Sequence, residues 1–475
     1  MTHAPRKTDV AVMGGGIAGL ICAVACAEIG LQVIVYEKLA EQRYLCNSRM
    51  TGGIFHLANH PIDADEGPLI DFIDELTGGL ARPDLLRAVV HDSKRAVRWL
   101  QDRGIRFIKA SSQPYQSHVL APPASVQIGR PWQGRGGDLT LRRLEARLFA
   151  NGGQVLRGHR VTGITSVLGE MTGVSGIDLH GVPFATEVRA VVLADGGFQA
   201  QPEEVRRHIS PAPDRLVQRN AGTGYGDGIR LAQTVGATIS RRSEFYGHLQ
   251  ARNALTNDNL WPYPWCDEIG RSAIVVDDTG ERFVDEGLGG VHIANAIARL
   301  ADPASACIVF DRVVWEGPAR QRALPVNPYL ERAGGVVHRA ATIAAVAALA
   351  GLPADALTAT IARYNEAHAL NTVKALTPER TTAKFRSYPI IEPPFFVLPI
   401  AAGITYTMGG VLIDADARAL DATGAPIRGL YAVGSTTGGL EGGPKTGYVG
   451  GLCKAAVTGL RAGEHIAMCF TQTAP

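Results

Sequence analysis

The sequence predicts an α/β fold in which a domain built on βαβ units is interrupted by a second domain of α+β type. Three observations support this prediction: a glycine-rich turn between a strand and a helix at residues 14–19, a change of composition between residues 246 and 404, and a return of strand and glycine patterns after residue 405. With 475 residues, 46% of them apolar, the chain is long enough for two or three domains.

Composition and charge exclude several classes of protein. The net charge is +2 and no basic run stands out, so we expect no nucleic-acid partner. The residues before position 10 lack the apolar core of a signal peptide, and the apolar stretch 10–36 contains Glu28 and several glycines. We therefore expect a cytoplasmic protein with no membrane span. The seven cysteines form no CxxC pair, which favours reduced thiols over a metal or cluster site.

The first thirty-eight residues have the pattern of a complete βαβ unit. DVAVM (9–13) and QVIVYEK (32–38) are rich in β-branched residues, as is typical of buried parallel strands. LICAVACAEIG (20–30) lies between them and is rich in alanine, which predicts a helix that ends at its glycine.

The turn of this unit has the spacing Gly14-x-Gly16-x-x-Gly19, and Glu37 ends the second strand. The first glycine permits the turn, the second lets a pyrophosphate approach the backbone, and the third brings helix and strand close together. The N–H groups of the helix N-terminus would face the phosphates, and Glu37 would accept hydrogen bonds from a ribose. The motif therefore predicts a dinucleotide cofactor and does not by itself separate FAD from NAD.

Glycine stretches between β-rich segments continue the first domain. CNSRMTGGIFHLA (46–58) is polar and well placed for a cofactor to lie across, and residues 127–148 run from a Gly/Arg loop into a helix beginning near Asp138. Several short strands are predicted over 154–195. NAGTGYGDGIRLAQTVGA (220–237) is a glycine loop that opens a helix.

The middle of the chain has a different character. LWPYPWCDEIG (260–270) is rich in proline and tryptophan, and AATIAAVAALAG (340–351) reads as a helix. After it, GLYAVG (429–434) predicts another strand followed by a glycine turn, and residues 447–467 predict a helix. The predicted boundaries are 1–245 and 405–475 for the two parts of the first domain and 246–404 for the inserted domain.

Seven motifs in this order, GGGIAG, NSRMTGG, LADGGF, GTGYGDGI, ERFVDE, TMGGV and GLYAVGSTTGG, resemble the flavoprotein family of fumarate reductases and 3-ketosteroid 1-dehydrogenases over nearly the whole chain. The resemblance implies a Rossmann-like FAD-binding domain and a capping domain that closes over the isoalloxazine. Cys46 stands near the place where membrane-bound relatives attach flavin through a histidine, so we expect non-covalent FAD. The predicted cofactor contacts are Gly14, Gly16, Ile17, Ala18, Gly19, Glu37, Lys38, Ser48, Met50, Thr51, Gly52, Gly53, Val161, Ala194, Gly196, Asp227, Gly434 and Val449.

Departures from the fumarate reductase pattern concern the residues that handle protons and charge. Where those enzymes have a histidine before the TMGGV-type motif, this chain has Tyr406. Their arginine proton donor falls on residues 289–291, which are Gly-Gly-Val, with His292 as the nearest polar side chain. Their second carboxylate-binding arginine falls on or beside Lys445. The resemblance therefore favours the desaturase branch of the family.

The ketosteroid dehydrogenases of this family use tyrosine hydroxyls to polarise a ketone and to accept the α-proton, while flavin takes hydride from the β-carbon. By that logic Tyr406 is the first catalytic candidate, followed by Tyr448 and by Tyr246 with His248. Lys445 is a candidate for binding a substrate carboxylate or the flavin edge.

These residues predict an FAD-dependent desaturase that acts on adjacent carbons α/β to a carbonyl, on a small cyclic ketone of the oxocyclohexane-carboxylate or 3-ketosteroid type. Two alternatives stay open: an oxidoreductase of polycarboxylates or enoates similar to fumarate reductases or tricarballylate dehydrogenases, and a flavin redox sensor or electron carrier. The electron acceptor could be oxygen, a quinone or an electron-transfer protein. The loop residues Arg130, Trp132 and Arg135 either line the substrate pocket or lie in solvent.

Overall fold

The computed structural model describes residues 6–124 and 131–471, and two β-sheets with surrounding helices form its framework. The described α-helices are Ile17–Ala27, Asn47–Met50, Glu66–Thr77, Pro83–Asp102, Gly136–Ala150, Pro202–His208, Asp227–Thr234, Asp267–Gly270, Gly290–Ala298, Arg312–Glu316, Val326–Arg332, Ile343–Ala350, Ala354–Ala369 and Gly451–Thr471. This architecture confirms the predicted α/β fold class.

The first sheet has ten strands in the described part of the chain. They are Arg6–Lys7, Val10–Met13, Val33–Glu37, Gln154–Arg157, His159–Val167, Glu170–Asp178, Pro183–Glu187, Ala190–Leu193, Arg418–Leu420 and Pro426–Ala432. Its centre is parallel, in the order 426–432, 190–193, 10–13, 33–37, 154–157. The carboxyl ends of these strands meet at one edge, where open α/β sheets bind their ligands.

The second sheet has six strands among the described residues. They are Val217–Gln218, Phe245–Ala251, Ile274–Val276, Cys307–Asp311, His338–Ala340 and Phe395–Thr407. The long last strand is central: it pairs antiparallel with 245–251, so that Tyr246 lies opposite Tyr406. The strands of this sheet extend from residue 217 to residue 407, so the sheet extends beyond the predicted inserted domain 246–404 at both ends. The domain boundaries remain a prediction. Two short strand pairs complete the sheet structure, Phe107–Ile108 with Val119–Leu120 and Val411–Leu412 with Thr437–Gly438.

The C-terminal helix supports the first sheet. It packs along the helix Ile17–Ala27, and a Cβ at Gly459 would lie 2.5 Å from the Ala18 carbonyl oxygen, so only glycine allows this approach. The helix begins at Gly451 rather than at residue 447 as predicted. The reason is that Gly450 has a φ of +145° and donates its N–H to a Glu441 carboxylate oxygen at 3.3 Å, which ends the preceding turn.

None of the helices within residues 6–124 and 131–471 combines the length and the apolar character needed to cross a bilayer. Within the same residues, no group of three or more His, Cys, Asp and Glu side chains is arranged to hold a metal ion.

Candidate active site

A cavity of about 340 Å³ extends from the edge of the parallel strands to the second sheet. We call its first part the nucleotide end; most of the predicted cofactor contacts line it. These are Gly14, Gly16, Ile17, Ala18, Glu37, Lys38, Ser48, Met50, Thr51, Gly52, Gly53, Val161, Ala194, Gly196, Asp227 and Gly434.

Two predicted contacts lie behind the cavity wall. A Cβ at Gly19 would come within 2.3 Å of the Gly14 carbonyl oxygen, so this glycine keeps the helix close to the strand. Val449 is fully buried, and its N–H donates to Glu441 at 3.1 Å. Both residues shape the site without lining it.

The glycine turn fits a dinucleotide. Gly14 has a φ of +105°, and a Cβ there would lie 2.7 Å from the Ala194 carbonyl oxygen. By contrast, a Cβ at Gly16 would meet nothing closer than the Ser48 hydroxyl at 3.4 Å, so this position opens to the cavity. The N-cap residue of the helix that starts at Ile17 is Gly16, which has no side chain to cap it, and the Ser48 hydroxyl accepts the Ile17 N–H at 3.0 Å. The helix N-terminus still directs its positive dipole end toward the cavity, where a pyrophosphate would lie.

Glu37 is held in place by the turn. Its carboxylate oxygens accept N–H groups from Gly15 at 3.1 Å and from Leu39 at 3.0 Å. Burial raises the pKa of Glu37, and these two N–H groups oppose the rise. The carboxylate keeps further lone pairs that can accept ribose hydroxyls.

Two other residues of the nucleotide end were missed by sequence reasoning. Asp195, in the LADGGF segment, accepts the Gly228 N–H at 2.9 Å, and burial raises its pKa to about 6. Gln199 is buried, and its side-chain oxygen has no hydrogen-bond partner among the described residues. Their positions close to the glycine pair 196–197 in the sequence could have identified both residues as cavity-lining candidates.

The other part of the cavity, which we call the substrate end, has aromatic walls. It is lined by Arg219, Tyr246, His248, Trp261, Pro262, Tyr263, Trp265, Thr405, Tyr406, Tyr448 and Gly451. Trp132 and Arg135 also line the cavity, whereas Arg130 lies outside the described residues.

A chain of hydrogen bonds begins at Tyr246. Residues 246 and 248 project to the same face of the strand Phe245–Ala251, because alternate residues share a face. The Tyr246 hydroxyl lies 2.9 Å from Nε2 of His248, and Nδ1 of His248 lies 2.6 Å from the Asp267 carboxylate. Asp267 also accepts the Leu249 N–H at 2.7 Å.

The electrostatics of this chain fix its proton positions. Burial lowers the pKa of His248, with Asp267 opposing the shift. Burial would raise the pKa of Asp267, but His248 and the Leu249 N–H outweigh it and hold that pKa below its usual value. Since a carboxylate only accepts hydrogen bonds, Nδ1 carries the proton of the neutral ring and Nε2 accepts from Tyr246. Burial raises the pKa of Tyr246 to about 12.

Asp267 also occupies a space that a glycine leaves open. A Cβ at Gly290 would lie 2.2 Å from the Asp267 carboxyl carbon, so no side chain fits there. Gly290 is the first residue of the helix Gly290–Ala298, whose positive dipole end favours the carboxylate. This is the segment in which the resemblance located the missing arginine.

Tyr406, the first candidate from the sequence, has a different partner. Its hydroxyl donates to the Glu441 carboxylate, at 2.9 and 3.1 Å from the two oxygens. The Glu441 side chain is fully buried, and Lys454 forms an ion pair with it. Burial and Glu441 raise the pKa of Tyr406 well above its usual value. Its hydroxyl proton is thus engaged by the Glu441 carboxylate.

Tyr448 presents its hydroxyl at the start of the C-terminal helix. Its oxygen accepts the Gly451 N–H at 3.2 Å, and its own O–H interacts with the Tyr246 hydroxyl, which opposes the rise in the pKa of Tyr246. Its ring stacks on that of Tyr246 with 3.9 Å between centroids. Burial raises the pKa of Tyr448 well above its usual value, so the phenol stays neutral.

The structure also shows the surroundings of three other residues that the sequence analysis singled out. Lys445 is absent from the described cavity lining: it is 41% exposed and pairs with Glu75 at 2.9 Å on the surface. His292 is half-buried in the first turn of the helix Gly290–Ala298, and burial lowers its pKa. Cys46 lines the cavity, and burial raises the pKa of its thiol to about 12.

Sequence reasoning also missed Asp267, Arg219 and Glu441. Asp267 belongs to the WPYPWCDE segment that marked the change of composition, but its pattern gave no partner. Arg219 directly precedes the glycine loop at residues 220–237, and Glu441 follows the motif GLYAVGSTTGG by two residues.

Comparison with known proteins places this site in a family. The chain is 30% identical over 457 residues to an NADH:fumarate oxidoreductase of Klebsiella pneumoniae, covering 94% of this chain and 46% of that relative, so it spans about half of that relative's length. It is 26% identical over 585 residues to a 4-oxocyclohexanecarboxylate 2-dehydrogenase of Sinomonas cyclohexanicum, covering 98% and 93% of the two chains.

Among solved structures, a 3-ketosteroid-Δ4-(5α)-dehydrogenase from Rhodococcus jostii RHA1 in complex with 4-androstene-3,17-dione matches 98% of both chains. Its TM-score is 0.73 and its identity 21%, which shows a shared fold. A family model described as FAD binding domain matches residues 9–447. The chain therefore belongs to the FAD binding domain family and is an FAD-dependent oxidoreductase whose relatives include enzymes that act on CH–CH bonds.

Proposed function

We propose that this protein is a dehydrogenase that removes a hydride and a proton from adjacent carbons α/β to the carbonyl of a cyclic ketone, with Tyr246 as the proton acceptor. The observation that supports this most is the hydrogen-bond chain from Tyr246 through His248 to Asp267. The name of the Sinomonas relative, a dehydrogenase of an oxocyclohexane ring, supports the substrate class.

The chain solves the problem that a buried tyrosine is a weak base. With a pKa of about 12, a free Tyr246 phenolate would be costly at neutral pH. As the substrate Cα–H bond breaks and its proton binds the Tyr246 oxygen, the tyrosine's own proton passes to Nε2 of His248. The imidazolium that forms is stabilised by Asp267, as in a Ser-His-Asp triad.

Tyr448 suits the carbonyl. Its oxygen accepts the Gly451 N–H, so the Tyr448 O–H can donate a hydrogen bond to a different group. We propose that the carbonyl oxygen of a substrate bound at the substrate end accepts this hydrogen bond. A donor at the carbonyl makes the α-carbon more acidic, which is the condition for removing its proton. Because Tyr448 stacks on Tyr246, the donor and the acceptor lie next to each other.

Gly290 separates this proposal from fumarate reduction. An arginine at position 290 would need a side chain where Asp267 stands, because a Cβ at Gly290 already lies 2.2 Å from the Asp267 carboxyl carbon. The relay and the arginine are therefore mutually exclusive at this position.

When bound, FAD supplies the hydride acceptor. We propose that it is held without a covalent bond, because the Cys46 thiol has a pKa of about 12 and is not a nucleophilic thiolate. The glycine turn, Glu37 and the residues around Ser48 would hold it, and the segment 246–404 would cap the substrate end. We propose a separate electron acceptor, either oxygen, a quinone or a redox protein.

The test is anaerobic mixing of the FAD-loaded protein with saturated cyclic ketones, among them 4-oxocyclohexanecarboxylate. Loss of the visible flavin absorbance together with formation of the α,β-unsaturated ketone is expected. The comparison arm uses tricarballylate as reductant and, with chemically reduced enzyme, fumarate as oxidant. Reaction in this arm alone would overturn the proposal in favour of a polycarboxylate oxidoreductase, and reduction only by a partner protein would favour an electron carrier.

A further inference from the structure

Arg219 stands at the substrate end with its charge unpaired. One terminal nitrogen donates to the Thr405 hydroxyl at 2.9 Å, and the backbone N–H donates to the Ile404 carbonyl at 2.8 Å. Its Nε is buried and has no hydrogen-bond partner, and its guanidinium forms no ion pair with any described residue. An arginine that is partly withdrawn from water normally faces a carboxylate.

The buried arginines of the described residues follow that rule, whereas the half-buried Arg252 donates to backbone carbonyls instead. Arg49 pairs with Asp138, and Arg282 pairs with Glu286 at 2.6 Å. The nearby acid Asp267 does not serve Arg219 in this way, because its two oxygens accept from His248 and from the Leu249 N–H. Arg219 thus keeps guanidinium donors for a group that the protein itself does not supply.

The fold makes room for this side chain. A Cβ at Gly403 would lie 2.9 Å from Cδ of Arg219, so the arginine stem rests on a position without a side chain. Thr405, which holds the guanidinium, is the extra residue of a β-bulge, since Tyr246 pairs with Tyr406 and Gly247 pairs with Ile404. Bulges re-aim side chains near active sites. The guanidinium carbon of Arg219 lies 5.6 Å from the ring of Trp265, and both residues line the cavity.

We infer that Arg219 binds a carboxylate on the substrate, so that the ring ketone is an anionic one rather than a neutral steroid-like ring. This inference rests on the proposed function and names its substrate class. The aromatic walls would hold the ring, and Arg219 would offer two parallel N–H donors to the carboxylate. The role that the sequence assigned to Lys445 passes to Arg219, because Lys445 pairs with Glu75 on the surface.

The experiment measures binding to the FAD-loaded protein of cyclohexanecarboxylate and of its neutral isostere cyclohexanecarboxamide. Neither probe has a ketone, so binding is measured without turnover, by calorimetry or by the shift of the flavin spectrum. The wild type should bind the acid at least about tenfold more tightly than the amide, since a hydrogen bond to a charged group adds this much. Arg219→Gln should bring the ratio close to one, and the surface control Lys445→Gln should leave it unchanged.

An acid-to-amide ratio that Arg219→Gln leaves unchanged overturns the inference, and so does a wild type that prefers the amide. If Arg219→Gln does not retain FAD, Arg219→Lys replaces it: the ammonium lacks the two parallel donors, so a several-fold smaller ratio is expected and an unchanged ratio again overturns it. The two proposals fail separately. If no ketone reduces the flavin but the ratio collapses in Arg219→Gln, the dehydrogenation proposal fails and the carboxylate site stands.

Discussion

Two buried polar clusters flank the substrate end, and each is built around a tyrosine. Tyr246 and Tyr406 lie opposite each other on paired strands, with 5.5 Å between ring centroids. The Tyr246 hydroxyl binds a neutral imidazole, whereas the Tyr406 hydroxyl binds the carboxylate of Glu441. Two residues in the same setting thus differ in what their oxygens can do.

The difference lies in where a proton can go. His248 can take a proton from Tyr246, because Asp267 stabilises the imidazolium that results. Glu441 is already engaged by Lys454 and by the N–H groups of Val449 and Gly450, so it fixes the turn before the C-terminal helix. We conclude that the first cluster is suited to proton transfer and the second to holding the Tyr448 turn in place.

Tyr246→Phe gives the largest effect expected. Removing the hydroxyl removes the proton acceptor, so the rate of anaerobic flavin reduction by a reactive ketone should fall about 10²–10⁴-fold. The bound FAD should remain, because Tyr246 lies at the substrate end. Stopped-flow absorbance and the flavin-to-protein ratio measure these two quantities. A rate within threefold or so of wild type would remove Tyr246 from the proton path.

Asp267→Asn should lower the same rate by about 10²-fold or more, because the histidine loses the acceptor that fixes its tautomer. In the wild type the rate should rise with pH as His248 loses its proton, at a pKa that burial holds below 6.5. Since Asp267 opposes that shift, its removal should move the rise to lower pH. The matched control is Glu268→Gln, whose carboxylate pairs with Arg322 at 2.6 Å instead; an equal loss in both variants would contradict the relay.

Glu441→Gln should act mainly on stability. It leaves Lys454 buried without its carboxylate, which typically destabilises a protein by about 3–5 kcal/mol. Denaturant unfolding at saturating FAD measures the free energy of unfolding. The double variant with Lys454→Met should recover part of the loss, because no charge is then left buried. A loss below about 1 kcal/mol in the single variant would mean that the pair does not hold the turn.

Tyr406→Phe should have the smallest effect. Glu441 keeps its three other donors in this variant, and the proton path through Tyr246 is intact, so flavin reduction should stay within about tenfold of wild type. The unfolding free energy should fall by about 1 kcal/mol for the lost hydrogen bond. A rate loss as large as that of Tyr246→Phe would reverse the roles that we assign to the two tyrosines.

The nucleotide end could be predicted from the sequence because its parts are neighbours in the chain. The strand, the glycine turn, the helix and Glu37 all fall within residues 10–37, and the turn depends on local backbone conformation at Gly14. The FAD cofactor followed from this unit together with the later motifs, and the comparisons confirm it.

The substrate end could be predicted only as a set of candidates. The predicted candidates Tyr246, His248 and Tyr448 line the cavity there. Nothing in the sequence indicated that Asp267 and Glu441 would be the hydrogen-bond partners. Lys445 lies close to Tyr448 in sequence, yet its side chain extends to the surface and pairs with Glu75. The direction of the Lys445 side chain depends on the conformation of the turn at residues 442–450, which the residue types alone do not predict.

By itself, the sequence determined the βαβ unit, its cofactor and the kinds of side chain that line the cavity, because glycine spacing and strand periodicity act over short stretches of chain. The tertiary structure alone decided which tyrosine hydroxyl has a neighbouring imidazole that can take its proton. Strand register and the bulge at Thr405 bring residues 246 and 406 together, and the space left by Gly290 admits Asp267. A hydroxyl has the same composition wherever it lies, and only its neighbours decide whether its proton can leave.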